Sequence, residues 1–343
     1  MYLFKKSIVA TTVMVIFSLL SAHSFAAFCS LRDPVETIKA LHPESTSFKS
    51  IVKVIDENVR NQVQTLLPPN TLHFSELGKH TLYVVYTKDR PTGYVHVRSE
   101  ESEWGLVEIA WSMTLDLEVK DFKLQRCRSR ARKLVDTEDF KVQLRGRTYH
   151  DFVQMLNRDG YTLNTDKVDV DPKAKSLAEV IIRCGMKTLL VTELAWSQDV
   201  QKNTLYRGAE LNFKAMDAVT LVDQPMDGAV SKALNSAFSG ASTGIDRSTV
   251  AVAKVYDKQQ QLLGAIYQGR LDIDGRPSII EWAITAKGEI ININNSKGWG
   301  NHSTQKAFEK TIGQNYSSTN QCNDRAELVA LEAIVTTRSL LEN

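Results

Sequence analysis

The chain lacks the short motifs that announce a reaction. There is no His-Glu-x-x-His and no Walker loop in its 343 residues, which removes the usual signatures of zinc peptidases and P-loop nucleotidases. Cysteine is scarce: Cys29, Cys127, Cys184 and Cys322 are the four, and no two have the CxxC spacing of a metal or haem site. Charge of one sign is also missing. Lys and Arg number 42 against 40 Asp and Glu, so nothing favours generic binding to nucleic acid or to an anionic membrane. After Ala27 no apolar run reaches the ~20 residues that a spanning helix needs.

The first residues read as an export leader. Lys5 and Lys6 supply a positive start, Ile8 to Leu20 is uncharged and mostly apolar, and Ser24-Phe25-Ala26 offers small residues for cleavage after Ala26. The expected boundaries are a signal peptide at 1–26, a first module at 27–196, a linker at 197–205 and a second module at 206–343. The expected location is the periplasm. In that oxidising setting four thiols allow three pairings. Cys29 with Cys127 is the favoured one, because Cys184 and Cys322 fall in helical stretches. Four buried thiols is the equal alternative.

What is present is a repeat. Thr92-Gly93-Tyr94-Val95 and Glu108-Ile109-Ala110-Trp111 have counterparts at Leu263-Gly264-Ala265-Ile266 and Ser278 to Thr285. The glycines and the tryptophans, Trp111 and Trp282, share an offset of 171 (264 − 93), far too long for a solenoid period. Each half is read as an α+β module, an antiparallel β-meander packed against helices. In the first, strands are expected at Thr81–Tyr86, Tyr94–Arg98, Leu106–Leu117 and Val119–Arg126. Helices are expected at Asp33–Leu41, Phe48–Leu67, Phe140–Leu156 (broken at Gly146) and Leu177–Trp196. The second module repeats strands from Val250 to Asn294 and ends in a helix through Leu341. The final helices are offset by only 151 (328 − 177), so module one holds about twenty extra residues.

Part of that excess is Arg126-Cys127-Arg128-Ser129-Arg130-Ala131-Arg132-Lys133. If extended, it would put four guanidiniums on one face, suited to phosphate or carboxylate. The alternative is a solvated strand end paired with acids such as Glu100, Glu101 and Asp136. Trp111, mid-strand, is either a stacking platform or core. His96, also mid-strand, faces either a pocket or a structural partner.

The strand-and-turn pattern around Gly93-Tyr94-Val95 with Trp104-Gly105-Leu106-Val107-Glu108-Ile109, and around Gly264-Ala265-Ile266 with Lys287-Gly288-Glu289-Ile290, resembles the FMN-binding domains of periplasmic subunits of ion-pumping electron-transport complexes and of nitrous oxide reduction regulators. The resemblance covers most of both modules. It implies FMN, electron transfer and a membrane redox partner. In that family FMN is commonly attached to a threonine in Asp-x-x-Ser-Gly-Ala-Thr at the start of the last helix. Here the corresponding stretches are Asp171-Pro172-Lys173-Ala174-Lys175-Ser176 and Asn320-Gln321-Cys322-Asn323-Asp324-Arg325, and neither carries the motif. Ser239-Gly240-Ala241-Ser242-Thr243 copies its small-residue core but precedes the strands of its module. The resemblance therefore implies non-covalent flavin, with Arg126, Arg128 and Arg130 on the phosphate and Trp111 and His96 near the ring. The other reading is a cofactor-free scaffold that binds another periplasmic protein through the arginine face. No catalytic residue is assigned.

Overall fold

The computed structural model describes residues 31–238, 243–273, 276–295, 302–316 and 324–341. The leader, Cys29, Cys322 and Ser239–Ser242 lie outside them. The chain forms two compact units, one ending at Ser197 and the other beginning at Gln198. Both are α+β, and each holds a five-stranded, wholly antiparallel sheet with helices on both faces.

In module one, helix α1 (Pro34–Leu41) starts where the Asp33 carboxylate accepts from the Glu36 N–H at 2.9 Å and Pro34 needs no partner for a missing N–H. Strand β1 (Ser47–Ile55) and helix α2 (Glu57–Leu66) follow. The meander is β2 (Gly78–Thr87), β3 (Arg90–Ser102), β4 (Gly105–Met113) and β5 (Val119–Arg126), in spatial order β1-β2-β3-β4-β5. Short helices α3 (Arg132–Val135), α4 (Glu138–Leu144) and α5 (Tyr149–Gln154) lead to the long helix α6 (Lys175–Ala195). One sheet face packs Tyr83, Val85, Val95, Val97 and Ala110 against Ile38 and Leu41 of α1. The other meets α6, where Gly185 lets the helix close on Trp111 and Phe152. A methyl there would stand 2.5 Å from Phe152 and 2.7 Å from Trp111.

Module two follows the same path: α7 (Ser197–Asn212), β6 (Ala218–Leu221), α8 (Gly228–Ala237), β7 (Ile245–Tyr256), β8 (Leu262–Ile273), β9 (Arg276–Thr285), β10 (Ile290–Asn295), α9 (His302–Glu309) and α10 (Arg325–Leu341). Leu205, Ala209 and Phe213 cover one face of the sheet. Helices α8 and α10 cover the other through Val230, Leu234, Val329 and Ala333.

The doubling extends to irregularities that no generic meander would share. Helices α2 and α8 have equal length, and their capping residues Asp56 and Asp227 each accept from the N–H three residues on. Val85 pairs with Gly93 and Tyr86 with Pro91; likewise Val255 pairs with Gly264 and Tyr256 with Leu262, the same bulge twice. A second bulge recurs at Ser112/Met113 and Ala283/Ile284. Gly146 donates to the Val119 carbonyl and Gly313 to the Ile290 carbonyl, both at 2.8 Å. Both glycines have positive φ, +70° and +79°, the left-handed conformation that tolerates glycine best.

Two sequence expectations are corrected. Phe48–Leu67 is not one helix but β1 followed by α2; the β-branched run Ile51 to Ile55 pairs with β2, and the Asp56 cap starts the helix afresh. Residues 197–205 are not a linker but the first half of α7. Its buried side is small and partly polar (Asn203, Thr204, Leu205, Gly208, Ala209), which is why the stretch looked like a connection.

Candidate functional site

Module one buries charge beneath α6. Along β3, His96, Arg98 and Glu100 alternate onto the face that meets the helix, and all three are at least 95 % buried. Arg183 and Lys187, four apart and so on one side of α6, meet them from above. Arg98 donates to Glu76 at 2.8 Å. The Lys187 ammonium lies 2.8 Å from Glu100 and 3.4 Å from Glu76. Arg183 reaches Glu100 at 3.4 Å. Burial alone would raise the Glu76 carboxyl, but Arg98 and Lys187 outweigh it and hold Glu76 below the ordinary carboxylate range. Burial would likewise lower Lys187, while Glu100 and Glu76 hold it above its ordinary value.

Two imidazoles border this ionic cluster, and their tautomers follow from their partners. The Glu76 carbonyl can only accept, so His80 donates from Nε2 at 2.8 Å and its Nδ1 is bare. The Thr192 hydroxyl donates to the Thr188 carbonyl at 2.7 Å, so it accepts from His96 Nδ1 at 2.8 Å and His96 Nε2 is bare. Neither bare nitrogen has a partner among the described residues. The rings meet edge to face at 5.9 Å, and Trp196 closes over His96 at 5.0 Å. Burial, then the nearby Arg98 charge, pushes His80 down to about 3. Burial, then His80 and Arg98, holds His96 well below its usual range. Both are neutral bases enclosed in the core.

A serine–histidine–carboxylate set also exists, and its protons point the wrong way for catalysis. His42 Nε2 lies 2.8 Å from Ser112 Oγ, and Glu44 is 3.6 Å from Nδ1. Lys120 donates to Nδ1 at 3.2 Å. An ammonium offers only protons, so Nδ1 is the bare nitrogen and Nε2–H donates to the serine. That imidazole cannot accept the serine proton. Ser112 and His42 are both fully buried; burial, then Lys120, takes His42 down to about 4.

Module two fills the matching places differently. Tyr267 stands where module one has His96, and Gly269 where it has Arg98. Tyr267 packs edge-on against Trp282 at 5.6 Å. Burial, then the Glu332 carboxylate, raises its phenol well above its ordinary value. Glu332, fully buried on α10, accepts from Arg247 at 2.9 Å and from Thr243 at 2.5 Å. Thr243, last of the small-residue run, is thus a tether to the final helix.

The arginine stretch is not a four-rung ladder. Strand β5 ends at Arg126, and Arg132 already begins α3, so two of the four are drawn inward. Arg126 pairs with the buried Glu108 at 3.4 Å, alongside Arg32. Arg132 donates to the Leu124 carbonyl at 2.8 Å. Arg128 and Arg130 are exposed, while Ser129 between them and Ala131 after them are buried. The loop is held in shape, since Ser129 Oγ accepts from the Ala131 N–H at 3.2 Å and Val135 is fully buried. Helix α3 packs against the turn Pro172–Ala174 at the start of α6. Exposed Lys133, Lys173 and Lys175 belong to the same end of the module.

The five residues proposed for flavin therefore do not gather. His96 and Trp111 are cross-strand partners on the α6 face, both fully buried. Trp111 is enclosed by Phe122 at 5.3 Å and Phe152 at 5.8 Å. Arg126 pairs across the sheet with Glu108, whose carboxylate also holds Arg32 beside α1, on the opposite face. Arg128 and Arg130 stand on the loop beyond. Among the described residues no group of three or more His, Cys, Asp or Glu is placed to hold a metal, and no helix is long and apolar enough to cross a membrane. The chain matches no family model, and no curated protein or solved structure shows significant similarity to it.

Proposed function

We propose that this chain is an exported binding protein that engages an acidic partner protein through the cationic end of module one, without a cofactor. The observation that carries the reading is the fixed loop on which Arg128 and Arg130 face solvent, at the same end as Lys133, Lys173 and Lys175. A preshaped cationic surface recognises carboxylates at little ordering cost and speeds encounter with an acidic protein. The leader-like start supports export to the periplasm.

A second reading draws on the same surface. In the flavin domains that the sequence resembles, the start of the last helix is where the FMN phosphate is held, and here that place is the start of α6. Reversible FMN binding, with electron delivery to a membrane redox complex, would use Arg128 and Arg130 for phosphate. It is the weaker reading because Trp111 and His96, the groups meant for the ring, are enclosed.

An absorbance spectrum and a capture experiment separate the two. The exported protein, incubated with excess FMN and desalted, is expected to be colourless. It is expected to retain an acidic envelope protein at low salt, lost in Arg128→Glu/Arg130→Glu and kept in Lys39→Glu on α1. Stoichiometric flavin bands after desalting, or capture indifferent to the two arginines, would overturn the proposal.

A further inference from the structure

We infer that β1 is a docking edge for an extended, acidic segment of a partner protein, which joins the sheet of module one as a further strand. The inference goes beyond the cationic end of that module and does not depend on it. β1 is the outermost strand of its sheet, and the hairpin beside it shows which way its backbone points. Lys88 and Asp89 have φ of +50° and +66°, the tight turn in which the first residue's carbonyl accepts from the fourth residue's N–H. Thr87 therefore faces β3, and Tyr86 next to it faces β1. The Tyr86 carbonyl duly accepts from the Thr46 N–H at 2.8 Å. Ser47 pairs with Tyr86, and the register runs unbroken to Ile55 with Gly78. Ser47, Lys49, Ile51 and Lys53 thus aim their N–H and C=O groups at β2, while Phe48, Ser50, Val52 and Val54 aim theirs away from the sheet.

The side chains along this row are uncovered as well. Val52 and Val54 are 56 % and 60 % exposed, and Ser50 is exposed. They share the α1 face of the sheet with Phe48. Other edges of the two sheets are closed or short. At β5 the Val119 N–H and C=O are taken by Arg147 and Gly146, and the Lys120 and Leu124 carbonyls accept from Arg145 and Arg132. At β10 Gln314 and Gly313 hold Ile290 in the same way. β6 has four residues, against nine in β1.

Charge selects the occupant. β1 carries Lys49 and Lys53 and no acid, and Lys79 of β2 stands opposite Val54. Lys49 is exposed, with its ammonium over the Tyr86 ring at 5.2 Å. A second copy paired antiparallel along β1 would gather the lysines of both copies on one face, the device that keeps open edges from pairing with themselves. A segment with Glu or Asp at alternate positions would instead set its acids beside Lys49 and Lys53. The apolar residues between those acids would lie against Val52 and Val54. In such a strand addition the backbone gives affinity and the alternating side chains give specificity.

The test uses a capped heptapeptide of alternating Glu and Val, titrated into the full chain at low salt. It is expected to bind saturably, about ten-fold more weakly to Lys49→Glu, and unchanged to Arg128→Glu/Arg130→Glu. The valines would stand opposite the outward residues of β1 and turn their own N–H groups toward it. N-methylation of the valines is therefore expected to abolish binding, and N-methylation of the glutamates to leave it. Hydrogen exchange should slow at Ser50 and Val52 and stay unchanged at Lys49 and Ile51, which already bond to β2. No saturable binding up to ~1 mM, equal binding by the two N-methylated peptides, or a fully alternating Lys and Val peptide that binds as well would each overturn the inference. So would binding that survives Lys49→Glu and is lost in Arg128→Glu/Arg130→Glu, or slowed exchange at Ser50 and Val52 that comes with dimerisation of the chain alone.

Discussion

His96 Nδ1 and Thr192 Oγ1 stand 2.8 Å apart across the contact between β3 and α6, and the threonine's own proton goes to the Thr188 carbonyl at 2.7 Å. This single bond fixes which imidazole nitrogen carries hydrogen, and it pins a buried polar ring under the helix. Thr192→Val keeps the shape and removes the acceptor. The His96 N–H is then buried without a partner, which costs about 1–3 kcal/mol. Urea unfolding should show that loss in Thr192→Val and little of it in Thr192→Ser. Equal loss in both would mean that packing, not the hydrogen bond, is what Thr192 supplies.

Stability should fall with acid well above the range where carboxylates titrate. His42 is held down to about 4 and His80 to about 3, with His96 well below its usual value, while in the unfolded chain each has a pKa of ~6.5. Below pH ~6.5 the unfolded state takes up protons that the folded state refuses, so each group favours unfolding by up to ~1.4 kcal/mol per pH unit. The contribution is fully present above that pH and is lost on descent; for His42 the loss levels off near pH 4. The depressed Glu76 acts in the same direction, but only lower down. Unfolding free energies measured between pH 7.5 and 5 should decline, with a shallower slope in His42→Asn. A flat profile across that window would refute the neutral-histidine assignment.

The ion cluster under α6 should be unforgiving of partial removal. Lys187→Met takes away the cation that faces both Glu100 and Glu76 and leaves Glu100 with the partly exposed Arg183. Breaking a buried pair in this way costs about 3–5 kcal/mol. Replacing Glu100 with Gln in the same chain should recover part of that loss, because the stranded charge is gone. Chemical denaturation of the single and double variants gives the coupling directly.

The doubling was legible because it rests on residues whose role is geometric: Gly93 and Gly264 at a close approach, Trp111 and Trp282 at the core, Gly146 and Gly313 at a left-handed turn. β1 was not legible. Its Val52 and Val54 are exposed and it runs into α2 with only Asp56 between, so the two elements share one hydrophobic stretch. The ionic cluster was hidden for a related reason. In His96-Val97-Arg98-Ser99-Glu100 the polar residues alternate, which ordinarily marks a solvent face. Here α1 covers one face and α6 the other. The available clue was Arg183 and Lys187, four apart on a helix otherwise apolar enough to be buried.

If the two modules share one design, one substitution should injure each in the same way. A methyl at Gly93 would overlap the Met113 carbonyl oxygen and crowd His42 Cε1 at 2.9 Å; at Gly264 it would overlap the Ile284 carbonyl oxygen and crowd Phe213 Cε1 at 2.9 Å. In both cases the obstacle is backbone of the neighbouring strand, which cannot rotate away, and behind it lies the first residue after a packed helix. Gly93→Ala and Gly264→Ala should each destabilise by about 1–3 kcal/mol through overpacking. Hydrogen exchange should locate the gain in amide exchange within β2–β4 for Gly93→Ala and within β7–β9 for Gly264→Ala. Exchange that rises in both sheets for either variant would show the halves to be one cooperative unit, and no change for one of them would show that the glycines are not equivalent.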